Sequence, residues 1–455
     1  MSNIEKNLFK LYIFLLPITC IDLFNGKLYS LTTSISAVVN VIGIIYLFIK
    51  FINGGKIKTS PAIRYLSIII VLLNISSIIM AALLYKKLGV FIGRTTFLAI
   101  LPHIAYYFQI LLVFYYNYLY LSAMETEEIK KWIEYSLIFM LLIGYVQIVI
   151  ILTKNSALTN IVMKLQDIFM VKSLFFNTYR VTLMGREASE AGAILATFIM
   201  PYLFSNIIVS RKKLKYIILA LLFVPMSIYA ESSTFYIGLI ISVIYFVIYY
   251  CKKSYKFKIG AQLTAIVSVI VLLISVILMR NGVQLYEKNK DTDTKGFVYL
   301  TTSKLMDEDN LSTIHRYSSI YTNWQAVKRY PILGVGNGNQ GFFYRIYFPK
   351  WAAVSEESKG YYYGELGWPG SGAFLPTYIS SYGIFGVILL IIYIVFTEAN
   401  VKKLINTDKE FFYYMYKIGV LSFIPLSITA INITGIMYIL FILSIPFIEV
   451  NKKNC

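Results

Sequence analysis

The sequence predicts an all-α polytopic membrane protein: a single integral membrane domain over residues 1–455, with about 12 transmembrane helices and two enlarged external loops. Three observations predict it. Hydrophobic residues make up 58% of the chain and charged residues only 14%, where soluble domains carry about a quarter. Apolar runs of about 20 residues, the length of a bilayer crossing, succeed one another along the chain. Two polar stretches, at 153–188 and 280–370, interrupt a series otherwise joined by short loops.

Taken in order, the apolar runs fall at 8–24, 31–52, 65–84, 95–121, 133–152, 189–209, 216–230, 234–250, 260–279, 371–396, 413–429 and 431–449. The first lacks a small-residue cleavage site, so it reads as a span rather than a signal peptide. Pro17, Pro102, Pro201, Pro225, Pro376 and Pro425 fall inside spans, where they kink a helix whose freed carbonyls a packed bundle can re-satisfy. No repeat of fixed period is visible, which weighs against an inverted-repeat transporter.

The formal charge of +19 would suit nucleic acid. Its distribution does not, because the lysines cluster in short loops between spans, as the positive-inside rule requires. With the amino terminus inside, the inner segments hold roughly 22 Lys and Arg and the short outer loops about four, Lys27, Lys86, Lys87 and Arg94. That asymmetry puts both termini in the cytoplasm and both long loops outside. Cys20, Cys251 and Cys455 avoid the outer loops, so no disulfide framework is expected there. With only His103 and His315, and no paired-ligand spacing, neither a metal site nor a cofactor is expected.

In the first long loop Leu158, Ile161, Val162, Leu165, Ile168 and Phe169 recur at helical spacing, predicting a helix that lies in the outer interface. Arg180, Arg186, Glu187, Ser189 and Glu190 follow at the mouth of the sixth span. Charge so near a span is costly unless it faces a cavity, which makes this a candidate site; an interfacial ion-pair cluster is the alternative. The second loop opens rich in lysine and aspartate. Ser312-Thr313 then predicts the N-cap of a helix running to the residue before Pro331. On it Ile314, Tyr317, Ile320, Tyr321, Trp324 and Val327 form an apolar stripe, leaving Arg316 and Asn323 to face a polar site. Gly334, Gly336, Gly338 and Gly341 come next. Without a preceding strand they do not make a dinucleotide fingerprint; they let amides approach a phosphate, or let the chain turn over the bundle. Trp351, Tyr361, Tyr362, Tyr363 and Trp368 suit sugar faces or an interfacial aromatic belt.

The stretch from Arg180 to Gly192, the Ser232-Ser233-Thr234 turn, the set Arg316, Trp324, Ala326, Pro331, Gly334, Gly336 and Gly338, and then Tyr382-Gly383-Ile384-Phe385-Gly386 resemble, in this order, one bacterial membrane family. It contains the Wzy-type O-antigen and capsular polysaccharide repeat-unit polymerases and the O-antigen ligases. The resemblance implies a GT-C-like bundle in the plasma membrane with its active site on the external face. It implies as substrate an oligosaccharide joined through pyrophosphate to a polyprenyl carrier, and as activity a metal-independent glycosyltransferase. Membrane lipid, a chain-length regulator and a flippase are the implied partners. Arg180 and Arg316 would hold the departing pyrophosphate bidentately, and Glu187 would serve as base toward the acceptor hydroxyl, with Glu190, Glu231, His315 and Glu365 as competing residues. Arg186, Ser189, Trp324, Gly334, Gly336 and Gly338 would contact the substrate. Ligases carry a histidine near the end of the second loop; Gly364 to Phe374 has none, which favours polymerase over ligase. A lipid-sugar flippase or transporter is the alternative of another class. Mid-span charge is scarce here, which argues against it.

Overall fold

The computed structural model describes residues 2–21, 34–55, 58–169, 171, 173, 175–230, 232–254, 311–369, 373–429 and 437–450. The predicted span at 260–279, the lysine-rich start of the second loop and Glu231 lie outside these. Among the described residues every named element is helical, apart from isolated bridges between Ile21 and Val171 and between Phe91 and Arg94.

The helices begin and end where capping chemistry dictates. In α1 (Asn3–Leu15), Ser2 and Glu5 form a reciprocal capping box, and the helix ends before Pro17, so the first predicted span is a helix of 13 residues. The second, α2 (Ile35–Ile52), turns Phe48 and Ile52 outward, as a lipid-facing helix does. Ser60 caps α3 (Pro61–Leu88) with proline at its first position, and Thr95 caps α4 (Thr96–Ala123). Next are α5 (Thr126–Thr153), the interfacial candidate α6 (Ser156–Ile168) and the single turn α7 (Phe175–Thr178). No residue of α6 is buried, and Ile161, Leu165 and Ile168 point away from the protein.

The predicted sixth span is α8 (Ala188–Val209). It is followed by α9 (Lys213–Leu222), α10 (Val224–Ala230) and α11 (Ser233–Ser254). The second loop supplies α12 (Leu311–Arg329), α13 (Gln340–Ile346) and α14 (Glu356–Tyr363) before α15 (Phe374–Val401), α16 (Glu410–Thr429) and α17 (Met437–Ser444) close the chain. Among the described residues eight helices are long and apolar enough to cross a membrane: α2, α3, α4, α5, α8, the α9–α10 pair, α11 and α15. This is a multi-pass membrane protein.

One of the eight is central. In α8, 94% of the apolar window is buried, against 22–50% in the others. Its first turns, Ala188, Ala191, Gly192, Ala193 and Ala196, are small enough for α11 to approach, and Gly238 of α11 sits directly against Ala196. Pro201 lacks the amide its helix needs, and Leu195–Ile199 takes a π turn. The carbonyl this frees, Ala196 O, instead accepts the Ser242 hydroxyl of α11 at 3.0 Å. The first-loop arginines therefore stand at the mouth of the helix around which the bundle is built.

Candidate functional site

The first loop is held from within the bundle by one buried side chain. Gln147 of α5 accepts from the amides of Thr182 (3.1 Å) and Leu183 (3.0 Å) and donates to the Thr182 hydroxyl and the Leu183 carbonyl, both at 3.1 Å. All four groups of that amide pair are satisfied, which fixes Leu183 in its left-handed conformation, φ 53°. On one side of the clamp Val181 donates to Tyr229 O at 3.0 Å. On the other Thr19 donates to Met184 O at 2.9 Å. Glu190, in the first turn of α8, accepts from the Arg186 amide (2.7 Å) and the Thr19 hydroxyl (3.1 Å). It holds the loop's shape.

The two predicted first-loop arginines differ. Arg180 points its fork at the carbonyl that ends α10, with Nε 3.0 Å and Nη2 2.8 Å from Ala230 O. A guanidinium there caps the negative end of a helix. Arg186 is exposed, and its guanidinium makes no ion pair among the described residues. Glu187 is also exposed and takes the N-cap position of α8, its carboxylate accepting from the Ser189 hydroxyl at 2.5 Å. Ser189 therefore orients Glu187.

The second loop corrects the expected facing of α12. Tyr317, Tyr321 and Trp324 of the predicted apolar stripe are exposed, whereas Ser318, Ser319, Thr322, Asn323 and Ala326 are buried. The reason is close approach. The Ser380 hydroxyl of α15 donates to Asn323 Oδ1 at 2.6 Å, a contact that small and amide side chains permit and large rings do not. Asn323 therefore serves the packing rather than an open site. Trp324 lies eight residues, about 12 Å, along the helix from Arg316, under the Lys328 ammonium at 5.7 Å. The two are not brought together.

The glycine turn is also a packing device. Gly334, Gly336 and Gly338 all have positive φ (68°, 83° and 105°). A Cβ at Gly334 would collide with the Ser381–Tyr382 backbone, and one at Gly338 with the Ala99 carbonyl of α4. The amides of Val335 and Gly336 donate to Ser380 O and Ser381 O, both at 2.9 Å. In return Ile384 and Phe385 donate to Pro331 O (2.8 Å) and Ile332 O (3.0 Å) across a break in α15 at Gly383, where φ is 56° and ψ −147°. Asn337 N reaches Ser77 Oγ of α3 at 3.1 Å, and Gly338 N reaches Gln340 Oε1 at 2.7 Å. Gly334 N and Asn339 N donate to Tyr330 O and Gly336 O, each at 3.1 Å. Every amide from Gly334 to Asn339 thus has a protein acceptor, so the turn-and-pack reading of these glycines is the one the geometry bears out, and the amides are not held open for a phosphate.

The turn also lies deep. Ser77 is nine residues from Lys86 on α3, His103 nine from Arg94 at the start of α4, and Gly383 nine from the start of α15, each about 13 Å. Irregular backbone at such depth is stable only when the protein satisfies it internally.

What the fold does bring together is a cluster on α12 and α14 beside Arg316, with Arg186 within electrostatic range of it. His315, buried, stacks on Tyr361 with ring centroids 5.2 Å apart and planes at 24°. Its Nε2 lies 3.9 Å from Glu357 Oε1 and its Nδ1 3.5 Å from Ser358 Oγ. Burial holds the imidazole below its ordinary pKa; Glu357 opposes this and Arg316 reinforces it, so the ring is neutral at pH 7. Burial and Glu357 push the Tyr361 phenol up, while Arg186 is near enough to pull it down. A first-loop guanidinium thus lies within electrostatic range of the second-loop cluster. Arg316, half-buried beside His315, makes no ion pair among the described residues. Glu357 and Ser358 were not singled out by sequence; the one signal was Ser355, whose hydroxyl caps α14 and so fixes which way its first turn points. Among the described residues no three His, Cys, Asp or Glu side chains are grouped as metal ligands.

Two guanidiniums around a neutral imidazole can hold a dianionic group while leaving a proton acceptor beside it. No protein-family model matches the chain, and no curated protein matches it.

Proposed function

We propose that this protein is a membrane glycosyltransferase that polymerises polyprenyl-pyrophosphate-linked oligosaccharide repeat units at the outer face of the bacterial plasma membrane. In this reading it has about 12 spans, both termini cytoplasmic and the arginine cluster external. What supports the reading is that Arg186, from the first loop at the entrance of the central helix, lies within electrostatic range of Tyr361 in the second-loop cluster that also holds Arg316 and His315. An acceptor hydroxyl attacks the anomeric carbon of the lipid-linked chain, the bond from that carbon to the pyrophosphate oxygen breaks, and the pyrophosphate leaves with the electron pair. Negative charge gathers on that leaving group. Arg316 and Arg186, with no ion pair of their own among the described residues, receive it in this reading, and Arg180 orders the loop that carries Arg186. Glu187, oriented by Ser189, takes the hydroxyl proton; His315 is its competitor because it is neutral and lies beside Arg316. The glycine turn serves architecture around this centre.

The test is reconstitution. Purified protein given lipid-linked repeat units in excess chelator should convert them to a ladder of long products on a gel. An intact, folded protein that leaves the substrate unextended with or without magnesium overturns the reading. Extension that needs magnesium overturns only its metal independence.

A further inference from the structure

On the opposite face of the molecule from the arginine cluster, the start of α5, the end of α8 and the start of α9 enclose a cavity of about 700 Å³. It is lined by five cations, Lys130, Lys131, Arg211, Lys212 and Lys215, and two carboxylates, Glu127 and Glu134. The carboxylates are already taken. Lys130 pairs with Glu127 at 2.7 Å and Lys215 with Glu134, which leaves Lys131, Arg211 and Lys212 without an ionic partner among the described residues. Three uncompensated cations around one concavity form a site for an anion.

Two features decide what kind of anion. Tyr135 and Tyr216 line the cavity, with the Lys131 ammonium 5.7 Å from the Tyr135 ring centre, as at a membrane interface. Below it the seam between α5 and α9 is bridged by Lys215–Glu134 at the rim and by Tyr145 Oη donating to Leu222 O at 3.0 Å further in. On these same two helices Leu214, Ile218 and Leu221 of α9 and Ile138 and Leu142 of α5 are exposed. A cationic cup opening onto an apolar seam matches an anionic head carried on acyl chains. We infer that this cavity binds the phosphate headgroup of an anionic phospholipid from the leaflet on that side, with its chains along the α5–α9 seam. The inference is independent of the proposed catalytic function.

The full chain, purified in neutral detergent, is titrated with dioleoyl phosphatidylglycerol, with dioleoyl phosphatidylcholine and with inorganic phosphate, and binding is read as the rise in thermal midpoint. Phosphatidylglycerol should bind, and the other two should not protect. Each cation removed should weaken it roughly five-fold, so Arg211→Gln with Lys212→Gln should lose about 25-fold and Lys131→Gln alone about five-fold. The equal charge loss Lys6→Gln with Lys252→Gln, on the same face but outside the cavity, should change affinity less than about two-fold. Equal binding of phosphatidylcholine, or parental affinity in the cavity variants, overturns the site. Protection by inorganic phosphate alone makes it a site for a free anion and overturns the lipid.

Discussion

At the residue scale the decisive contrast is between arginines that hold the protein and arginines that do not. Arg180 donates twice to Ala230 O, whereas Arg186 and Arg316 have no ionic partner among the described residues. A lysine keeps the charge but cannot present a planar fork. Arg316→Lys and Arg186→Lys should therefore each cut polymer formation about 100-fold or more with a normal melting curve, while Arg180→Lys should chiefly lower the melting temperature. Normal polymer from Arg316→Lys would make it a surface residue. The base is decided alongside: Glu187→Gln should cost about 100-fold or more if that carboxylate moves the proton, and a near-normal rate beside a dead His315→Gln would move the role there. His315 also predicts a pH effect. Its folded pKa lies below the ordinary 6.5, so the unfolded chain binds more protons between the two values. Its contribution is therefore full above about pH 6.5 and is lost as pH falls through the folded pKa. With Glu357, Ser358, Tyr361, Tyr344 and Arg316 facing the ring, His315→Gln should lose less melting temperature than the parent between pH 7 and pH 5; an equal loss refutes the assignment. Arg186 was legible in sequence because charge near a span is conspicuous, and Arg316 because it falls off the apolar stripe of its helix. The stack of Tyr361 on His315 was not, since nothing local encodes a contact between α12 and α14.

At the element scale, helix existence and register were legible for most spans, because apolar length and capping residues are local properties. The facing of α12 was not. Periodicity finds the apolar stripe of a helix, but which stripe turns inward depends on what it meets. Where α12 meets the broken backbone of α15 at Ser380, only small and hydrogen-bonding side chains fit, and the rings turn outward. The glycine turn was equally ambiguous, since open amides and close packing select the same residue. The two roles separate by substitution. Gly338 combines φ 105° with a collision against Ala99 O, while Gly367, at φ 89°, has nothing within 4 Å. Gly367→Ala should cost about 1 kcal/mol, the left-handed penalty alone. Gly338→Ala must also move backbone of α4 and should cost about 3 kcal/mol or more. Thermal unfolding in detergent measures both. Equal, small effects would mean that the turn is not wedged between α3, α4 and α15.

At the scale of the whole molecule, two asymmetries must agree for the proposed activity to stand. One is chemical: Arg186 and Arg316, which make no ion pair among the described residues, and His315 lie toward the end of the bundle where α8 begins, and the cation-rich cavity lies at the end where α5 begins. The other is the distribution of lysine in the sequence, which the positive-inside rule converts to an orientation with α5 starting in the cytoplasm. The proposed activity requires the arginine cluster outside, on the face where a lipid-linked sugar would be polymerised, and Lys212 inside. Exposed positions report this directly. In a background with the three native cysteines replaced, single cysteines at Lys164 on α6 and Glu356 on α14 should react with a membrane-impermeant thiol reagent in intact cells. One at Lys212 should react only after the membrane is opened. All three side chains are exposed in the fold, so a failure to label reflects sidedness rather than burial. Labelling of Lys212 with protection of the other two would invert the protein, leave its fold and lipid cavity intact, and place the arginine cluster on the face where no external polymer can be assembled.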